Sequence, residues 1–127
     1  MMVAGWLLID AGNTRIKWTL TSSAGFVSGA SLSIKSLNAD VLDQFFESIG
    51  PLNGVALSNV AGSEVETLVA EYVAGRWNVE LLVASPQASG GGVISGYENP
   101  AALGVDRWLG LLAARSRCHL PVLVVDL

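Results

Sequence analysis

The sequence predicts an α/β domain organised around one mixed sheet. Two observations carry that reading. Near the N-terminus, apolar and alternating segments follow one another through connections too short to hold a helix, so those strands must run antiparallel. From about residue 38 onward, helix-period segments alternate with short apolar runs, the order that builds βα units onto a sheet. The composition agrees: of 127 residues, 51% are hydrophobic and 14% charged, which is that of a chain able to bury a core.

Trp6-Leu7-Leu8-Ile9 is a continuous apolar run and reads as a buried strand. After Asp10–Thr14, Ile16, Trp18 and Leu20 alternate with Lys17, Thr19 and Thr21, the period of a half-buried strand. Ser22–Gly25 is turn chemistry, and Phe26–Ile34 reads as a third strand that completes an antiparallel meander. Asn38 or Asp40 can cap a helix that places Val41, Leu42, Phe45, Phe46 and Ile49 on one face, and Gly50-Pro51 ends it. Val55-Ala56-Leu57 is a short strand. Ser63 and Glu66 have capping-box spacing ahead of a helix bearing Val65, Leu68, Val69, Tyr72 and Val73, with Gly75 near its end. Val79–Ala84 is a further strand, and Ser85–Asn99 is a loop with three consecutive glycines, Gly90 to Gly92. Asn99 caps, and Pro100 opens, a helix expected to reach about Arg117. Pro121 precedes a last strand, Val122–Leu127.

Several function classes fall away on composition. A net charge of −4 offers nucleic acid no electrostatic footprint. The one cysteine, Cys118, has no partner for an internal disulfide, and His119 lacks the companions of a zinc site. No stretch reaches the ~18 apolar residues of a membrane span, and Met1–Ile9, interrupted by Asp10, is not expected to act as a signal peptide. The expectation is a cytoplasmic protein with neither nucleic acid nor membrane as partner. The four tryptophans, Trp6, Trp18, Trp77 and Trp108, are expected in the core or at an interface, with Trp108 placed at a subunit interface.

Two segments carry chemistry. Asp10-Ala11-Gly12-Asn13-Thr14 puts a carboxylate at a strand end beside a Gly-containing turn. The turn's N–H groups can hold phosphate oxygens. The carboxylate can hold Mg²⁺ through water, Asn13 and Thr14 add donors, and Lys17 adds a point charge. The same residue types also make an ordinary turn. In Pro100-Ala101-Ala102-Leu103-Gly104-Val105-Asp106-Arg107, the predicted helix puts Asp106 in its second turn, sharing a face with Ala102, Leu103, Leu109 and Gly110. A carboxylate there, kept ionised by the helix N-terminus, can orient a substrate hydroxyl or accept its proton. It can equally be a dipole-complementing residue paired with Arg107 or Arg76.

These two segments, in this order, resemble the signature motifs of the type III pantothenate kinases, of the actin-like, sugar-kinase-like ATPase superfamily. Asp10–Thr14 resembles that family's first phosphate loop. Gly104-Val105-Asp106-Arg107 resembles its Gly-x-Asp-Arg motif, with Pro100 and Leu103 matching ahead of it. The resemblance implies Asp106 as general base and Gly104 and Arg107 as substrate-holding residues. It implies that Asp10, Gly12, Asn13, Thr14 and Lys17 receive the ATP phosphates, with Mg²⁺ at Asp10. Gly90–Asn99 is similar to the substrate-side loop, with Tyr97 lining the pantothenate pocket. Asp126 resembles the opening of the second phosphate motif, Asp-x-Gly-Thr-Ala, where it would ligate a monovalent cation; the Gly-Thr-Ala does not follow here.

The fold implied is an actin-like (ribonuclease H-like) half-domain, with residues 1–120 as the N-terminal kinase domain and 121–127 as the first strand of a truncated second one. The function implied is ATP-dependent phosphorylation of pantothenate to 4′-phosphopantothenate, the first step of coenzyme A biosynthesis. Mg²⁺ and K⁺ or NH₄⁺ serve as cofactors, the enzyme is a homodimer, and the 127-residue chain alone is expected to be inactive. The resemblance leaves two alternatives: an accessory protein for a transcriptional regulator, or another actin-like small-molecule kinase.

Overall fold

A computed structural model describes residues 5–125. The chain divides into two compact units, one up to Ala84 and one from Ser85 onward.

In the first unit, β1 (Gly5–Ala11), β2 (Arg15–Ser22), β3 (Gly25–Ser28), β4 (Leu32–Ser33), β5 (Leu52–Asn59) and β6 (Leu81–Val83) form one six-stranded sheet. Its order is β3-β2-β1-β5-β6, with β4 also on β2. The β1–β2, β2–β3 and β2–β4 pairs are antiparallel, whereas β1–β5 and β5–β6 are parallel. This is the expected mixed sheet: a meander followed by βα units.

The third strand is two pieces. β3 and β4 pair with successive parts of β2, and the chain breaks at Gly29–Ser31. The Trp18 indole lies against the Gly29 Cα, in the space a side chain would need, while the Gly29 N–H still donates to the Trp18 carbonyl at 3.3 Å.

Helix α1 (Ala39–Phe45) starts on Asn38, whose side chain accepts the Val41 N–H at 2.8 Å. Asp40 lies in its first turn. Helix α2 (Ser63–Trp77) has no capping box. Gly62, at φ 107°, is its N-cap, and Ser63 is already helical. A left-handed residue at that point excludes serine from the cap and favours glycine. Asn59 organises the entry instead, accepting from the Ala61 N–H at 2.8 Å and donating to the Gly62 carbonyl at 2.9 Å.

Both helices cover one face of the sheet. Leu7, Ile9 and Ala11 of β1, Ile16 and Trp18 of β2, and Val55 and Leu57 of β5 meet Leu42, Phe46 and Ile49, with Val69 and Val73 from α2. β1 is therefore not buried on both sides, as its apolar run suggested. It alternates, and Trp6 and Leu8 are 41% and 39% exposed on the outer face. Phe46 is fully buried, with ring centroids 4.9 Å from Phe45 and 5.8 Å from both Tyr72 and Trp77. Phe46→Ala should cost about 3–5 kcal/mol, the range for emptying a buried aromatic site. Denaturant unfolding of the variant checks it, with a lower midpoint expected at unchanged slope.

The second unit holds the hairpin β7 (Ser89–Gly90) and β8 (Val93–Ile94), a 3-10 turn over Pro100–Ala102, and helix α3 (Val105–Arg117). The glycine run is not an open loop. Gly91 and Gly92, at φ 54° and 79°, are the two central residues of a tight hairpin, a role that suits Gly-Gly. A Cβ on Gly91 would come within 2.9 Å of Leu112, and one on Gly90 within 3.7 Å of Trp108. The hairpin thus packs on α3, and Trp108, 2% exposed, is a core residue and not one displayed at a subunit interface.

Pro121–Val125, expected to open a strand, is irregular and exposed. β-branched residues favour a strand only where a neighbour completes the ladder, and no described strand pairs with this run. Asp126 and Leu127 lie outside the described residues. No helix among the described residues is long and apolar enough to cross a membrane.

Candidate functional site

The first locus is the loop joining β1 to β2. Ala11 pairs with Ile16, and the Gly12 N–H donates to the Arg15 carbonyl at 2.9 Å, which leaves Asn13 and Thr14 at the tip. Asn13 and Thr14 are exposed. Neither they nor Gly12 has a positive φ, and a Cβ on Gly12 would meet the Arg15 carbonyl oxygen at a tolerable 3.4 Å. The turn's own geometry therefore does not demand glycine. What Gly12 does provide is open backbone where a ligand can approach closely.

Asp10 is the last outward-facing residue of β1. Register sets it opposite Lys17 on β2 and Ser58 on β5, all three on the face away from the helices. Asp10 and Lys17 are both exposed. Among the described residues the one ion pair within 4.0 Å is Arg76–Asp43, at 3.9 Å, so Asp10 and Lys17 are cross-strand neighbours without a close contact. A carboxylate, an ammonium, a hydroxyl and loop N–H groups thus share one end of the sheet. Nothing in the sequence marks Ser58, because only the parallel β1–β5 register brings it beside Asp10.

No group of three or more acidic, His or Cys side chains able to hold a metal occurs among the described residues. A single carboxylate is nevertheless the donor set that suits Mg²⁺ shared with substrate phosphates and water. Asp10 fits that use.

The second locus is the start of α3. The expected continuous helix from Pro100 is interrupted. Asn99 caps the 3-10 turn, accepting from the Ala101 N–H at 3.2 Å; Leu103 is extended, and Gly104 is the N-cap of α3. Asp106 therefore lies in the first turn of α3, not a second turn. It is also exposed instead of sharing the apolar face, because the helix phase set at Val105 turns Val105 and Trp108 inward. Its Oδ1 accepts the Arg107 N–H at 2.9 Å, and a Cβ on Gly104 would come within 2.8 Å of that oxygen. Gly104 leaves the carboxylate room on its N-terminal side. Arg107 is exposed next to it, and neither residue forms an ion pair among the described residues. Arg76 pairs with Asp43, not with Asp106.

Tyr97 stands in the same unit, 49% exposed, with its N–H donated to the Ser95 hydroxyl at 3.3 Å. Gly104, Asp106 and Arg107 are thus gathered at one helix start, and Tyr97 lies in the segment between the glycine hairpin and that helix.

Comparison with known proteins converges on one family. The sequence profile described as type III pantothenate kinase matches residues 6–127. Curated relatives of that name include proteins from Nitrosococcus oceani (33% identical over 116 residues), Azoarcus sp. (35% over 125) and Paraburkholderia xenovorans (40% over 113). The alignments cover 87%, 94% and 87% of this chain but 42%, 45% and 40% of those relatives. The chain thus spans less than half the length of the curated relatives it matches. With a mixed sheet of the expected order and a profile match over nearly its whole length, the chain belongs to the type III pantothenate kinase family.

Proposed function

We propose that this chain contributes the first phosphate loop and the substrate-activating carboxylate of an enzyme that transfers the γ-phosphoryl group of ATP to the terminal hydroxyl of pantothenate. The product would be 4′-phosphopantothenate, in the first step of coenzyme A biosynthesis. The observation that carries the reading is the family match, with both acidic motif residues exposed and free of ion pairs.

In the proposed reaction the bond between the γ-phosphorus and the bridging oxygen breaks, leaving ADP, and a bond to the pantothenate hydroxyl oxygen forms. The hydroxyl proton passes to Asp106. Little base strength is needed, because positioning dominates phosphoryl transfer. Asp106 can turn its free oxygen to the hydroxyl while Oδ1 stays on the Arg107 N–H. Arg107, Gly104 and Tyr97 would hold pantothenate. Gly12, Asn13 and Thr14 would offer donors to the phosphates, and Lys17 a neutralising charge. Asp10 would hold Mg²⁺, which supplies charge neutralisation on the phosphates when bound. The monovalent cation, K⁺ or NH₄⁺, belongs to Asp126 in this reading, outside the described residues. A homodimer is part of the same proposal, on family resemblance.

Genetic complementation tests it. The full-length gene should restore growth to a bacterial strain depleted of its own pantothenate kinase, and the same gene carrying Asp106→Asn should not. Growth with both, or with neither while the wild-type protein accumulates in soluble form, contradicts the proposal. Growth with neither would favour the non-catalytic accessory reading, and growth with both would remove Asp106 from the chemistry.

A further inference from the structure

The loop that carries the proposed phosphate donors is tied to the break in the sheet edge, and the tie runs through a residue outside the motif. Arg15, the first residue of β2, donates from Nε to the Ser31 hydroxyl at 2.7 Å and from Nη2 to the Ser31 carbonyl at 3.2 Å. One residue earlier, on the same side of the loop, the Thr14 carbonyl accepts the Ile34 N–H at 2.9 Å. The segment Ser31–Ile34 therefore grips the loop at both Thr14 and Arg15. A regular third strand would pair straight through Gly29–Ser31; the break there frees Ser31 to face Arg15.

Holding an exposed arginine at two points on one residue is entropically costly, since the side chain gives up several rotatable bonds. The partners are neutral, and among the described residues Arg15 forms no ion pair. Its charge thus remains uncompensated beside Asn13 and Thr14.

We propose that Arg15, held by Ser31, is a positioning residue. It fixes the Gly12–Thr14 loop in the form that receives phosphate and keeps a cation at the loop's flank, with no direct bond to the nucleotide. The inference rests on the proposed nucleotide role of that loop, but its structural half can be measured without it.

The test is a double-mutant cycle in the full-length protein, using Arg15→Ala, Ser31→Ala and the pair, with Ser31→Thr as the conservative control. Each single alanine variant should raise KM for ATP about 3- to 10-fold, a range set by coupling between neighbouring polar groups, and the double variant should do no more than the worse single. kcat and KM for pantothenate should stay within about twofold, and Ser31→Thr should behave as wild type. Amide hydrogen exchange on the ligand-free protein supplies the readout independent of activity: both alanine variants should speed exchange at Gly12 to Ile16 and at Ile34, leaving α2 unchanged. Additive KM effects, or an effect of Arg15→Ala with none from Ser31→Ala, would make Arg15 a direct ligand and overturn the inference. Unchanged exchange in the loop would overturn it as well. If the wild type turns over no ATP while exchange responds as stated, it is the nucleotide reading that fails and the clamp that stands.

Discussion

Asp106→Asn is expected to lower kcat for pantothenate phosphorylation by about 10²-fold or more, within the range for losing a positioned acid–base group. The substitution suits the question because of where the residue sits. Asp106 accepts the first-turn Arg107 N–H, and an asparagine Oδ1 can still accept that bond. The first turn of α3 should therefore survive, and thermal unfolding should shift little. What is lost is the charge and the ability to take a proton. KM for either substrate should change much less than kcat, the signature of an interaction made mainly in the transition state. Steady-state kinetics on the purified full-length variant checks it; kcat close to wild type would leave Asp106 as a helix-dipole residue only.

Asp10→Ala should abolish measurable turnover with the fold intact. Asp10 is exposed, at the end of β1, and takes part in no ion pair. Its structural value is at most that of a cross-strand neighbour of Lys17, about 0.2–1 kcal/mol. Its proposed chemical value is far larger, because it would fix the ion that neutralises the phosphates. Activity and thermal unfolding measured on the same preparation separate the two. Unfolding that fails together with activity would mark Asp10 as a structural residue.

Local chemistry made much of this fold legible. Asn38 caps α1 because only it combines a short acceptor side chain with an extended backbone at that point. Alternation along Ile16–Leu20 set the buried face of β2. The misreadings share a cause: each depended on tertiary placement. Leu8 and Trp6 look buried in a sequence window, yet both helices of the first unit lie on the opposite face. Ser63 and Glu66 have the spacing of a capping box, but the chain enters α2 through a left-handed Gly62 directed by Asn59. Pro100 is a good helix opener, so the sequence predicts Asp106 in a second turn. Leu103 and Gly104 interrupt that helix and reset its phase, which turns the carboxylate outward. The Gly91-Gly92 hairpin did have a signal, two glycines between short flanking residues that can pair, and its reason is the close approach of Leu112. At the β1–β2 loop, the motif residues could be read from sequence, but their neighbours Ser58 and Ser31 could not. One arrives by parallel register and the other through a broken strand.

This family member is expected to move a phosphoryl group onto the terminal hydroxyl of pantothenate. Phosphorus NMR on the full-length protein with ATP, Mg²⁺, K⁺ and pantothenate tests it most directly. The account predicts a growing phosphomonoester resonance coupled to the methylene protons of the terminal carbon, matched by loss of the ATP γ signal and growth of ADP, and absent when Asp106→Asn replaces the wild type. ATP consumed with only inorganic phosphate formed, or a monoester that appears equally with the variant, would contradict it.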